Sequence, residues 1–295
     1  MKEIVVISGK GGTGKTSIVA SFAALAKTAV MADCDVDAAD LHLVLEPKVR
    51  HSSDFSGGKQ ASIVSGKCIG CGKCQDVCNF DAILFAGPAN DVIDKTYTVD
   101  PIACEGCGVC AHFCPNNAIE FNDVVNGRWF VSDTRFGAMV HARLGIAAEN
   151  SGKLVSLIRK KAKEIAADRN NDLIIVDGSP GIGCPVIASI TGADLVLIVT
   201  EPTLSGKHDL DRIVDLAAGF NIPTLIAINK HDLNPDVAQQ IETDARKRSM
   251  KVVGKIRYDD AFTKAQIMKC SVVEYTGGAV SDDLKALWRN VTYAY

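Results

Sequence analysis

The sequence predicts an α/β chain: a mostly parallel, doubly wound sheet with helices on both faces, interrupted by a small module of another kind. Three observations lead there. Short continuous apolar runs alternate with helical periods near both ends of the chain, a glycine loop joins the first strand to the first helix, and between residues 63 and 122 the alternation stops and cysteines accumulate. Buried apolar strands that alternate with helices indicate a parallel sheet. The 295 residues suffice for one large domain or about two ordinary ones. With 47% hydrophobic and 23% charged residues, the composition is that of a soluble globular protein. A net charge of −3 gives no global electrostatic case for nucleic acid or a membrane surface. No apolar run reaches the roughly 18 residues that span a bilayer. The N-terminal MKEIVVISGK enters the glycine loop before a signal-peptide core can form. The expected location is therefore cytoplasmic.

Ile4-Val5-Val6-Ile7 reads as the first strand, residues 8–16 as a glycine loop and residues 17–27 as a helix. After residue 150 the alternation returns. A helical period over 153–167 precedes an apolar strand over 173–176; 185–190 precedes 195–199, and 210–218 precedes 225–228. Between these halves lies an internal repeat with an offset of 36 residues. Set over 104–121, residues 68–85 are identical at nine of eighteen positions, including four cysteines and two glycines. A two-fold repeat this short reads as a small pseudo-symmetric module. Three Lys against seven acidic residues give residues 63–122 a local charge of −4. Residues 52–58 look like the entry linker and 123–128 like the exit, which divides the chain into 1–62 with 123–295, and an insert, 63–122.

Gly9, Lys10, Gly11, Gly12, Thr13, Gly14, Lys15 and Thr16 satisfy G-x-x-x-x-G-K-T in the strand-to-helix context that the motif requires. Glycines let several N–H groups point at one phosphate, and the helix N-terminus adds its positive end. Lys15 is expected on the β/γ-phosphates and the Thr16 hydroxyl on Mg²⁺; with Ser17 these residues make the expected phosphate-binding set.

Lys10 gives the loop the form K-G-G-T-G-K-T, which resembles the deviant Walker A loop of the MinD/ParA/Mrp ATPases and of the nitrogenase iron protein. The resemblance implies that Lys10 crosses a dimer interface to the partner's nucleotide, in the manner of an arginine finger, and that a homodimer forms on ATP binding. It implies further roles in Asp33-Cys34-Asp35-Val36-Asp37, where the family has a D-x-D element. Asp35 is the choice for orienting water and Mg²⁺, with Asp33 and Asp37 behind it. Asp177, after an apolar strand, matches the Walker B position and would hold Mg²⁺. Asn229 looks like the base-contacting Asn. Asn229-Lys230-His231-Asp232 also fits the guanine signature N-K-x-D, but the deviant loop favours ATP. The segments 149–153 and 200–203 look like a subgroup of the same family, without a role that the residues reveal.

Eight of the 11 cysteines lie within residues 68–114. A disulfide scaffold would be a small secreted chain with cysteines throughout. Cys68, Cys71, Cys74 and Cys78, and then Cys104, Cys107, Cys110 and Cys114, repeat the bacterial ferredoxin spacing, in which the fourth cysteine serves the other cluster. Cys68, Cys71, Cys74 and Cys114 would thus bind one [4Fe–4S] cluster, and Cys104, Cys107, Cys110 and Cys78 the second. The fourth cysteine of each run is expected to start a helix. Asn79 stands where the first run usually has proline. Zinc is the competing occupant of C-x-x-C pairs. Cys184 reads as a buried small hydrophobe.

The whole chain resembles MinD-superfamily ATPases with an inserted ferredoxin-like α+β domain. The function this implies is ATP hydrolysis in a dimer, coupled to electron transfer to a partner metalloprotein or redox protein, or to its maturation. The acidic insert points to a basic partner surface. An iron–sulfur or metal-cofactor assembly factor is the alternative, although the C-terminal C-x-x-C of Mrp-type carriers is missing. A MinD-like spatial regulator is the third reading. Leu284, Leu287, Trp288 and Val291 form an apolar stripe, but Lys285 and Arg289 are too few cations for a stable membrane anchor.

Overall fold

The computed structural model describes residues 1–145 and 151–294; residues 149 and 150 of the segment 149–153 lie outside them. In chain order, β1 (Lys2–Ser8), α1 (Lys15–Ala26), β2 (Val30–Asp33) and α2 (Leu41–Leu45) lead into the long β3 (Lys48–Ile63). Short pieces follow: α3 (Lys73–Asp76), β4 (Ile83–Gly87), β5 (Thr96–Val99) and α4 (Val109–Phe113). After the long β6 (Ile119–Thr134) and β7 (Gly137–Leu144), the chain alternates through α5 (Ser151–Asp168), β8 (Leu173–Pro180), α6 (Cys184–Ile190), β9 (Leu195–Thr200), α7 (Leu204–Ala218), β10 (Thr224–Asn229), α8 (Pro235–Lys247) and β11 (Lys251–Ile256). It closes with α9 (Ala261–Ile267), α10 (Val272–Tyr275) and α11 (Ala279–Thr292).

The nine-stranded sheet has the order β11-β10-β9-β1-β8-β2-β7-β6-β3. Every pair from β11 to β7 along that order is parallel. Successive strand side chains point to opposite faces, and all six residues of β9 are buried, as are Ile4–Ile7 of β1. Both faces of the central strands are therefore covered. Helix α1 packs with α2, α10 and α11, and α5 packs with α6. The α11 stripe faces inward: Leu284, Leu287 and Val291 are fully buried, and Trp288 stacks at 4.9 Å on Phe22 of α1. Packing on the core accounts for that stripe. Among the described residues no helix is long and apolar enough to cross a membrane.

Two compact units divide the chain. The first comprises Met1–Ser53, Trp129–Arg143 and Ser151–Tyr295, and the second Asp54–Arg128 with the described residues from Leu144. The boundaries at 53/54, 128/129 and 143/144 fall inside strands, β3, β6 and β7. The stretches expected as linker loops, 52–58 and 123–128, are extended strand instead. Side chains tie the two stretches together: the Ser56 hydroxyl donates to the Val124 carbonyl at 2.8 Å, and the Gly57 N–H to Asn126 Oδ1 at 2.9 Å.

Candidate functional site

Within the first unit, the glycine loop leaves β1 at Ser8 and enters α1 at Lys15. Gly12 and Gly14 have φ of 79° and 89°, a left-handed conformation that glycine adopts without strain. A Cβ on Gly14 would also stand 2.3 Å from the Asn229 amide nitrogen. Three side chains hold the loop by its carbonyls. The Ser8 hydroxyl donates to Lys10 at 2.9 Å, the Asn229 amide to Thr13 at 2.7 Å, and the Lys230 ammonium to Gly12 at 3.1 Å. Asn229, expected to contact a base, thus engages the loop backbone. The residue is 2% exposed, and its Oδ1 accepts the Lys230 N–H. One Asp232 oxygen accepts the Tyr258 N–H at 2.7 Å. Thr16 and Ser17 lie half-buried in the first turn of α1.

Lys15 is 5% exposed and folds back among carboxylates. Its Nζ lies 2.5 Å from Asp177 Oδ1 and 3.3 Å from Asp35 Oδ2. The parallel pairing of β2 and β8 sets Asp33 opposite Asp177, which brings the third carboxylate to the group. Burial raises Asp33 well above the usual carboxylate range, reinforced by the Asp177 charge; burial also raises Asp35, against the pull of Lys15. Burial opposes the Lys15 ammonium, but Asp177 and Asp35 outweigh it and its pKa is raised. Asp37 is exposed, and its charge adds to the rise of Asp35. The Oδ2 atoms of Asp33 and Asp177 and the Thr13 hydroxyl are buried without a hydrogen-bond partner. Unpartnered carboxylate oxygens are donors of the kind that Mg²⁺ takes. Among the described residues, no group of three or more His, Cys, Asp or Glu is already placed to hold a metal ion.

Lys10 also has partners within its own chain. Its Nζ lies 2.7 Å from Glu201 Oε1 and donates to Ser205 Oγ at 2.9 Å, while Glu201 Oε2 holds Lys230 at 3.0 Å. Neither Glu201 nor Lys230 was named as a site residue from the sequence; the signals were the segment 200–203, which carried no role, and the N-K-x-D fit that contains Lys230. Cys184 is exposed at the start of α6, not buried as expected. The preceding Gly181 and Gly183 keep the chain at the surface.

Within the second unit, Cys68, Cys71, Cys74 and Cys114 line a cavity of about 340 Å³. Cys78, Cys104, Cys107 and Cys110 line another of about 350 Å³. Cys74 and Cys110 lie in the short helices α3 and α4, but Cys78 and Cys114 come just after them, so the fourth cysteine ends a helix instead of starting one. Cys114 is extended (φ −71°, ψ 111°), as a residue before proline prefers. The Ala118 N–H donates to the Cys114 sulfur at 3.3 Å. Burial is the main cause that pushes the Cys74 thiol up to about 11. Gly106, with φ of 62°, lets the cysteine loop pass where a Cβ would stand 2.1 Å from the Lys59 carbonyl oxygen.

Comparison with known proteins gives a consistent picture for the first of these sites. Residues 4–269 match the CobQ/CobB/MinD/ParA nucleotide binding domain. The uncharacterized protein MJ0578 of Methanocaldococcus jannaschii is 37% identical over 235 residues, 79% of each chain. The septum site-determining protein MinD of Bacillus subtilis is 23% identical over 271 residues, 89% of this chain and 78% of its own. The cell division ATPase MinD of Pyrococcus furiosus has a TM-score of 0.58 at 15% identity, covering 100% of this chain and 99% of that one. MinD of Pyrococcus horikoshii OT3, in its complex with Mg-ADP, has a TM-score of 0.57 at 15% identity, covering 98% and 95%. At such identity the structural likeness shows the fold alone.

Proposed function

The chain belongs to the CobQ/CobB/MinD/ParA nucleotide-binding family, and from that premise we propose that it is an ATP-hydrolysing iron–sulfur protein. It works as a nucleotide-dependent homodimer and serves a partner metalloprotein or redox protein, by electron delivery or by maturation. Residues 1–62 and 123–295 form the ATPase part, and 63–122 a ferredoxin-like insert. The observation that carries this reading is the sorting of eight cysteines, four and four, into two cavities, with Cys78 and Cys114 exchanged between the runs. Each set has the four thiolates that a [4Fe–4S] cluster takes. Bound there, two such clusters would supply one-electron transfer.

The nucleotide chemistry follows from the carboxylates around Lys15. Incoming phosphates draw Lys15 away from Asp177 and Asp35, and the loop N–H groups and the α1 N-terminus face the same anion. The released Asp177 and Asp35 carboxylates, with Thr16, would hold Mg²⁺, which would offset the phosphate charge, and Asp35 would orient the attacking water. Lys10 serves the nucleotide of the partner subunit. A MinD-like positioning role draws support from the likeness to the Bacillus subtilis protein, while the α11 stripe is buried and does not itself offer a membrane face.

Electron paramagnetic resonance of the anaerobically purified, dithionite-reduced protein tests the reading, with and without Mg-ATP. The expected result is an iron–sulfur signal that Mg-ATP alters in the wild type and leaves unchanged in Lys10→Ala. A protein that hydrolyses ATP without any such signal loses its iron–sulfur role. A signal indifferent to ATP removes the coupling.

A further inference from the structure

We propose that the two cysteine-lined sites are unequal, and that Tyr97 makes the first, with Cys68, Cys71, Cys74 and Cys114, the site on which an electron comes to rest. This deepens the iron–sulfur reading above and rests on it. The observation that carries it is a break in the internal repeat. The offset of 36 residues that relates the cysteine runs also relates the side chains around them. Ile63, Ala118 and Ile119 at the first cavity have Val99, Ala82 and Ile83 as counterparts at the second, and these pairs stay apolar. Two other pairs do not. Tyr97 lines the first cavity, and its counterpart at the second is Ala61; Glu105 lines the second, and its counterpart at the first is Ile69. In a third pair, Asn116 against Phe80, the Asn116 amide already donates to the Lys67 carbonyl at 2.8 Å. Lys73, Asp76, Asp81 and Glu120, the other charged residues of the repeat, are exposed and line neither cavity.

The Tyr97 and Glu105 breaks act in one direction. Tyr97 lies on β5, and its ring packs on Phe85 of β4 at 4.8 Å, which fixes the hydroxyl beside the first cysteine loop. A Cβ on Gly72 would stand 3.2 Å from that hydroxyl oxygen, whereas one on the equivalent Gly108 would stand 3.2 Å from a Phe121 ring carbon. Desolvation, and then the charges of Cys74, Asp76, Cys71 and Cys68, raise the Tyr97 pKa, so the hydroxyl keeps its proton and is a donor. Reduction adds one negative charge to an iron–sulfur cluster, and hydrogen bonds to its sulfurs and the charge around it set its potential. The Tyr97 hydroxyl therefore favours the added charge at the first site, and the Glu105 carboxylate opposes it at the second. Glu105 is exposed, so water and salt weaken its effect, and Tyr97 carries the larger share. An electron that enters at the second site moves to the first, with no bond made and none broken.

A potentiometric titration of the anaerobic holoprotein, followed by electron paramagnetic resonance, tests this in wild type, Tyr97→Phe and Glu105→Gln. Cys71→Ser and Cys107→Ser mark the signals of the first and second sites, by altering or abolishing them. Two signals are expected in wild type, and the one that Cys71→Ser marks appears first on reduction. A hydrogen bond to a charged group is worth about tenfold in an equilibrium. Tyr97→Phe is accordingly expected to lower the potential of the first signal by up to about 59 mV, which is tenfold for one electron, and to leave the second in place. Glu105→Gln is expected to raise the second by less. Should a serine variant not fold, Tyr97→Phe and Glu105→Gln decide between them, because each must move a different signal and in opposite directions. The proposal is overturned if the signal reduced first is the one that Cys107→Ser marks, or if Tyr97→Phe moves neither signal or both alike. Absence of any iron–sulfur signal removes the iron–sulfur reading, and the inequality with it. Two clusters of equal potential leave that reading standing and remove the inequality alone.

Discussion

Lys15 shows how one residue carries both stability and chemistry. Its ammonium neutralises Asp35, just after β2, and Asp177 of β8, which Asp33 faces across a buried strand pair. Removing one partner of a buried ion pair typically costs about 3–5 kcal/mol. Lys15→Ala is accordingly expected to lose nucleotide binding and also to unfold at clearly lower urea. The deficit should shrink as pH falls. A buried carboxylate whose pKa is raised favours the fold while protonated and loses that contribution as pH rises, and without the opposing pull of Lys15 Asp33 and Asp35 are raised further. A variant as stable as wild type at neutral pH would show that the ion cluster does not hold the strands. The glycine and lysine positions of this loop were legible in the sequence because their spacing is specific. Glu201 was not, because a lone acid after a strand looks like any solvated loop residue until the fold sets it 2.7 Å from Lys10.

At the scale of elements, apolar runs exposed the central strands and hid the outer ones. β1, β8, β9 and β10 are buried on both faces, so their sequences are continuous apolar stretches. β3 and β6 are largely exposed, and their Ser, Asp, Asn and Gly residues leave no hydrophobic period to read. That is why residues 52–58 and 123–128 resembled linkers. The cysteine runs were legible through their repeat, but the place of their fourth residues depends on how short α3 and α4 are. Each helix ends within a turn or so, and its last cysteine then reaches the other cavity. Cys78→Ala is therefore expected to damage the metal site that contains Cys104, Cys107 and Cys110, and to spare the one that contains Cys68, Cys71 and Cys74. Two distinguishable signals in Mössbauer or resonance Raman spectra would check this. Selective loss of the first-run signal would refute the exchange.

For the whole molecule, the family assignment accounts for the parallel sheet, the glycine loop and the buried acids. The second unit, Asp54–Arg128 with the described residues from Leu144, contains the eight clustered cysteines. A nucleotide-binding domain alone gives no reason for eight cysteines facing two cavities, and a ferredoxin-like module alone gives no reason for Lys10 and Lys15. The central claim is that one chain holds both. Iron and acid-labile sulfide in the anaerobically purified protein, measured against protein concentration, test this most directly. The account expects close to eight of each per chain, the content of two [4Fe–4S] clusters. Stoichiometric zinc with little sulfide, or a stably folded ATP-binding chain with no metal, would contradict it.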